Sequence, residues 1–79
     1  MQLQIINGTF SKAEALDLIT QMVGVKIKFH EDRIGRDTSE EDCKMREAKI
    51  KHLQNELAKL KHHFATLDGS IHLKSLIEL

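Results

Sequence analysis

Histidine and cysteine are the residue types in this sequence whose side chains could bind a metal ion. His30 lies near the end of one predicted helix and Cys43, the single cysteine, near the start of the next. A zinc site needs four ligands, or three and a water molecule, so this pair would need two more from a second copy of the chain. In the simpler interpretation, His30 extends to solvent and Cys43 is a small buried thiol. We predict no metal site, and zinc binding by His30 and Cys43 stays open.

The other candidate groups form no catalytic arrangement. His62 and His63 are adjacent, so they point about 100° apart on a helix and cannot chelate one ion well. The serines lie at predicted helix caps or in the tail, without a Gly-x-Ser-x-Gly turn, and the glycines are scattered singly, without a phosphate-binding loop. We therefore predict that the protein is not an enzyme and takes no cofactor.

The length and charge of the chain limit its class and partners. A chain of 79 residues predicts a single domain over residues 1–79. Twelve basic and twelve acidic residues cancel, so nucleic acid is not expected as the main partner. The single cysteine suits a reducing cytoplasm, and we see no signal-peptide pattern and no apolar run near the ~20 residues that span a membrane. We expect a cytoplasmic protein with no membrane partner.

In the segment of residues 43–67, seven of the eight positions at alternating steps of three and four are apolar, the exception being Arg46, and most residues between them are polar or charged. This pattern predicts a helix with one apolar seam that packs along another helix, as in a coiled coil. Thr38 or Ser39 is expected to cap this helix and Gly69 to follow its end, which gives a helix over residues 39–66. The predicted seam residues on this helix are Ile50, Leu53, Leu57, Leu60 and Phe64.

A second long helix is predicted before it. Ser11 and Glu14 have the spacing of a capping box, so we expect this helix to begin at Ser11. Its end is ambiguous, because Gly24 is followed by residues 25–30, whose alternation also fits a strand. Polar residues continue at helical steps through this glycine, and one glycine costs a helix only about 1 kcal/mol, so we favour a helix over residues 11–34.

Short strands are expected at both ends of the chain. Residues 2–6 contain β-branched residues and predict a strand, followed by a turn at residues 7–9, where Gly8 can adopt a positive φ. Residues 70–79 alternate with the period of a strand. The predicted fold class is α+β and mostly α: an antiparallel hairpin of two long helices, with the N- and C-terminal strands paired at one end.

The first helix has an apolar arc of roughly 200°, which is wider than one partner helix covers. We expect one side of this arc to face the second helix and the other side to face a second copy of the chain in a homodimer. The alternative is a monomer in which the terminal strands cover the arc. The predicted seam residues on this helix are Leu16, Ile19, Val23 and Ile27. The predicted dimer contacts are Leu18, Met22, Val25 and Phe29.

Three runs, IINGTFS at residues 5–11, KIKFHE at residues 26–31 and SEEDCKMRE at residues 39–47, resemble a group of short, uncharacterised bacterial proteins. The resemblance implies a small bacterial protein and carries no activity or site residues. We expect a non-enzymatic, self-associating interaction or scaffold protein. The alternative is a small nucleic-acid-binding or regulatory protein that uses a basic patch on the helical hairpin, and a third option is a subunit whose seam pairs with a different protein.

Overall fold

A computed structural model of the protein describes residues 1–36 and 39–79. Its elements follow one another in the order β1 (Gln2–Phe10), α1 (Lys12–Ile34), α2 (Glu40–Ala65) and β2 (Ile71–Glu78). The two helices pack along each other as a hairpin, and the two strands form an antiparallel sheet. The predicted α+β fold, a helical hairpin with paired terminal strands, is confirmed.

Local side-chain chemistry sets the start of α1. The Ser11 hydroxyl accepts a hydrogen bond from the Glu14 amide at 3.2 Å, and the Glu14 carboxylate accepts one from the Ser11 amide at 3.3 Å. This capping box satisfies two of the amides that a helix start leaves without partners. α1 then continues through residues 25–30, so the helical interpretation of that segment is correct and the strand alternative is wrong.

The ends of the two helices use different devices. The Ser39 hydroxyl caps α2 by accepting from the Asp42 amide at 3.3 Å, while Thr38, the other predicted cap, lies outside the described residues. Gly35 ends α1 in a right-handed conformation with φ −68°, so the freedom of glycine is not used there. Gly69 has φ +79°, which lets the chain turn sharply between α2 and β2.

The turn predicted at residues 7–9 is wrong, because β1 continues through these residues to Phe10. β2 is long enough to pair with them, and Gly8 lies opposite Leu73 in the ladder. A Cβ at Gly8 would lie 3.6 Å from the ring of Phe10, so this ring packs over the glycine on the same face of the strand. Cross-strand pairing therefore overrides the local preference of Gly8 for a turn.

A β-bulge interrupts the regular alternation of β1. The register shifts between Gln4 and Ile6, where Gln4 pairs with Leu76 and Ile6 pairs with Ser75, and Ile5 is the extra residue. A bulge moves the following side chains to the other face of a strand. Leu3 and Ile6 therefore share one face of the sheet although they are three positions apart.

α1 is the central element of the fold. It contacts α2 and both strands, whereas α2 contacts neither strand within the described part of the chain. The Cα atoms occupy 47 × 34 × 13 Å, so the molecule is flat and elongated. Ala15 and Phe64 are the buried apolar residues among those described. Neither described helix has the length and apolar character needed to cross a membrane.

Substituting Gly24 tests the continuity of α1. Gly24 is exposed in the middle of the helix, and an added Cβ meets no atom within 4 Å. We expect Gly24→Ala to raise the free energy of unfolding by about 0.5–1 kcal/mol in urea denaturation, because alanine is the better helix former. The control, Gly69→Ala, should lower it, since φ +79° strains any residue with a Cβ. A destabilised Gly24→Ala protein would contradict a continuous α1.

Candidate interaction surface

The predicted seam residues are all buried or half-buried, and Ile19 and Val23 line a groove beside the strand residues Ile6 and Leu73. Phe64 is buried near the end of α2, and it lines a groove with Leu16 from the start of α1. The remaining seam residues are half-buried, and they are Leu16, Ile19, Val23, Ile27, Ile50, Leu53, Leu57 and Leu60. Side chains between two helices normally become fully buried only when a further layer covers them. These residues are therefore only partly shielded from solvent.

The residues predicted as dimer contacts follow one stripe of α1. Met22 is 39% exposed, Val25 72% and Phe29 51%, whereas Leu18 is half-buried. Met45 on α2 is also exposed, at 47%. We call Met22, Val25, Phe29 and Met45 the apolar stripe. Single exposed apolar residues are ordinary, but four large ones on neighbouring helix turns are typical of an interaction surface.

An open groove of about 560 Å³ lies between α1 and α2 beside the apolar stripe. Its apolar lining comes from Phe29, Met45, Ala48 and Leu53. The polar groups that line it are Lys26, His30, Lys49 and His52. The groove thus combines an apolar floor with cationic side chains, and an apolar side chain of a partner can enter it.

His30 and Arg46 form a polar contact within the helical seam. His30 is only 6% exposed, and its Nδ1 lies 3.1 Å from Nη1 of Arg46. A guanidinium group can only donate, so Nδ1 of His30 must accept and the ring is neutral. Burial, and then the positive charges of Arg46, Lys49 and Lys26, lower the pKa of His30. The ring also packs edge-on against Phe29, with 5.6 Å between the ring centroids.

This geometry corrects the expectation that His30 extends to solvent, because the residue is buried against α2. Its polar contact is with Arg46, while the Cys43 thiol contacts the Ile34 carbonyl oxygen, with 3.6 Å between sulfur and oxygen. Cys43 is half-buried. In residues 1–36 and 39–79 no group of three or more His, Cys, Asp or Glu side chains is placed to hold a metal ion.

The sequence contains a signal for the His30–Arg46 contact, although sequence reasoning missed it. His30 follows Ile27 at the next seam position of α1, and Arg46 precedes Ile50 at a seam position of α2. In an antiparallel hairpin the end of α1 lies beside the start of α2, so polar residues at these positions meet. Two polar residues in otherwise apolar seams therefore predict a contact between them.

The lowered pKa of His30, caused first by burial and then by Arg46 and the nearby lysines, makes stability depend on pH. The unfolded chain binds a proton on this imidazole below about pH 6.5, whereas the folded chain, with its lowered pKa, binds it only at a lower pH. We therefore expect the free energy of unfolding to fall as the pH drops from about 7.5 to 5. His30→Gln, which can still accept from Arg46, should flatten this slope in urea denaturation. His52→Gln, an exposed histidine on the same groove, should keep it. Identical slopes for wild type and His30→Gln would contradict the lowered pKa of His30.

Comparison with known proteins identifies no relative of this chain: no protein-family model, no curated protein and no solved structure matches it. Inferences about function therefore rest on the surface that the fold exposes. The features of that surface are the apolar stripe, the groove beside it and the free edges of the two-stranded sheet.

Proposed function

We propose that the protein is a non-enzymatic interaction or scaffold protein that acts as a homodimer. The observation that carries this proposal is the accessible surface of a single copy, which is 6110 Å². A compact monomer of 9.1 kDa is expected to expose about 4,900 Å². The radius of gyration, 15.2 Å, likewise exceeds the roughly 12 Å expected of a compact chain of this length.

The size of this excess fits one partner. The surplus surface of about 1,200 Å² is larger than the roughly 800 Å² that each partner buries in a standard stable interface. A second copy packed against the first would cover apolar side chains that one copy leaves exposed. The surplus therefore supports association over a broad surface of the molecule.

The apolar stripe is the best-supported contact within that surface. Val25 and Phe29 are more exposed than Met22, and all three lie on the central helix. Complete burial of one large apolar side chain contributes about 1.5–3 kcal/mol before the costs of association. Burial of several such side chains from each copy is enough to hold a dimer at micromolar concentration.

The polar side chains of the chain support a structural rather than a catalytic role. Ser11 and Ser39 cap the two helices. Lys44 pairs with Glu40, and Lys59 with Glu56, within single helices, both at 3.4 Å. Exposed pairs of this kind add little stability and keep the outer helix faces solvated.

Sedimentation equilibrium tests the homodimer. We expect wild-type protein at micromolar concentration to have twice the chain mass of 9.1 kDa. Val25→Glu and Phe29→Glu should each raise the dissociation constant by about tenfold or more, since a buried carboxylate replaces an apolar contact. Gln54→Glu adds the same charge to an exposed position of α2 outside the groove lining and should leave it unchanged. A wild-type monomer would disprove the proposal.

A second candidate function, nucleic-acid binding, is favoured by one observation. Lys26, Arg46 and Lys49 lie close enough to His30 for their charges to lower its pKa, so positive charge is concentrated at this groove. Neither Lys26 nor Lys49 forms an ion pair with a carboxylate in the described part of the chain. We propose this groove, in a protein of balanced charge, as the place where a phosphate backbone would bind.

Fluorescence anisotropy with a labelled DNA duplex tests the second candidate. We expect binding at low salt, and the logarithm of the association constant should fall linearly with the logarithm of the salt concentration. The reason is that the DNA releases counterions when the protein neutralises its phosphates. Lys26→Glu with Lys49→Glu should abolish binding, whereas Lys61→Glu, near the other end of α2, should weaken it only slightly. Absence of binding at 50 mM salt, or equal effects of the two variants, would rule out this use of the groove.

A further inference from the structure

The outer edge of β2 carries free backbone groups at alternate residues. Met1 and Leu79 exchange both backbone hydrogen bonds, at 2.7 and 2.8 Å, so they form a hydrogen-bonded pair of the antiparallel ladder. Hydrogen-bonded pairs alternate with non-hydrogen-bonded pairs along an antiparallel ladder. Because Leu79 belongs to a hydrogen-bonded pair, the odd-numbered residues of β2 point their N–H and C=O groups at β1. The even-numbered residues point theirs outward, and these are His72, Lys74, Leu76 and Glu78.

The two edges of the sheet differ in how well they could accept another strand. In the described residues the sheet contains β1 and β2 alone, so both outer edges are unpaired. β1 has a bulge at Ile5, a device that twists an edge and discourages pairing. β2 has no bulge, glycine or proline over Ile71–Glu78, so its edge is continuous. Two strands alone are also marginally stable, and more strands would stabilise them.

We infer that β2 pairs antiparallel with β2 of a second copy about a twofold axis at Ser75, which gives a four-stranded sheet. The strand order is β1, β2, β2 of the partner, β1 of the partner. This inference rests on the proposed homodimer and names one of its contacts. The pairing supplies partners for the eight outward backbone groups of each β2 strand.

The sequence of β2 selects the register of this pairing. Residues that lie opposite each other in the two β2 strands must point to the same face of the sheet. The twofold axis must therefore pass between the two copies of one residue, and not between neighbouring residues. An axis at Lys74 would place two lysines opposite each other, which is unfavourable. An axis at Ser75 instead places Leu73 opposite Ile77. It also places His72 opposite Glu78 and Lys74 opposite Leu76. Axes nearer the strand ends pair fewer residues.

The edge of β2 is continuous with the apolar stripe. Met22 lines a groove of about 300 Å³ together with Leu73 and Ser75, so the stripe begins beside the middle of β2. A twofold axis perpendicular to the sheet at Ser75 keeps the helices of both copies on the same side of the four-stranded sheet. The same twofold axis therefore relates the paired β2 strands and the apolar stripes of the two copies. The helices form a layer over the extended sheet.

Cysteine cross-linking tests the register. In a Cys43→Ser background, Ser75→Cys places two cysteines in a non-hydrogen-bonded pair with Cα atoms about 4.5 Å apart, within the range of a disulfide. In the matched variant, Lys74→Cys, the two cysteines are diagonal neighbours about 7–8 Å apart, at or beyond that range. After equilibration in a glutathione buffer, we expect Ser75→Cys to form at least tenfold more covalent dimer than Lys74→Cys, measured by intact mass under non-reducing conditions.

The other outcomes each reject a defined statement. Predominant cross-linking of Lys74→Cys would overturn the register at Ser75. Failure of both variants to cross-link, when wild-type protein sediments as a dimer, would overturn the pairing of β2 and leave the proposed function intact. A wild-type monomer would overturn both. Circular dichroism of the two variants confirms that each keeps the helical fold.

Amide hydrogen exchange of wild-type protein gives an independent measurement without any substitution in β2. The amides of His72, Lys74, Leu76 and Glu78 should be protected at least tenfold in the dimer, because they donate to the partner strand. This protection should disappear in Val25→Glu, whereas the amides of odd-numbered residues, which donate to β1, should keep more of theirs. Equal, fast exchange of the four even-numbered amides in the dimer would overturn the inference.

Discussion

The structure depends on one constraint: a small, flat chain has no place to bury its apolar side chains completely. Among the described residues no large side chain is fully buried, and Ala15 and Phe64 are the buried apolar positions. Stable domains usually pack one layer of elements on another. In this protein each helix has one neighbour along its length, apart from the strands beside α1, so the flanks of both helices face water.

The two ends of the helical hairpin are held by different interactions. Near the sheet, Ala15 and Phe64 are buried, and Lys12 donates to the Leu67 carbonyl oxygen at 2.7 Å across the helix ends. At the other end His30 and Arg46 replace apolar seam residues with one polar contact. Apolar packing tolerates small shifts between helices, whereas a hydrogen bond fixes direction. The His30–Arg46 contact therefore sets the alignment of the hairpin at the end farthest from the sheet.

Features encoded by neighbouring residues were predictable from the sequence. The capping box at Ser11 and the cap at Ser39 fixed the helix starts within one residue, because each depends on atoms three residues apart. The length of β1 and the bulge at Ile5 depend on pairing with β2 at the other end of the chain, so the local turn signal at Gly8 was misleading. Within the candidate surface, the α1 residues of the apolar stripe could be predicted from helical periodicity. The burial of His30 required knowing how the seams align.

The pairing of the first strand with the last sets the order in which the fold can form during synthesis. β1 leaves the ribosome before β2, and the pair Phe10–Ile71 that starts their ladder closes a loop of about sixty residues. The helical hairpin closes through nearer contacts and can form earlier. Until β2 emerges, β1 stays unpaired with its apolar residues Leu3 and Ile5 exposed, and unpaired strands of this kind are prone to pairing with other nascent chains. On a polysome, those neighbouring nascent chains are copies of the same protein.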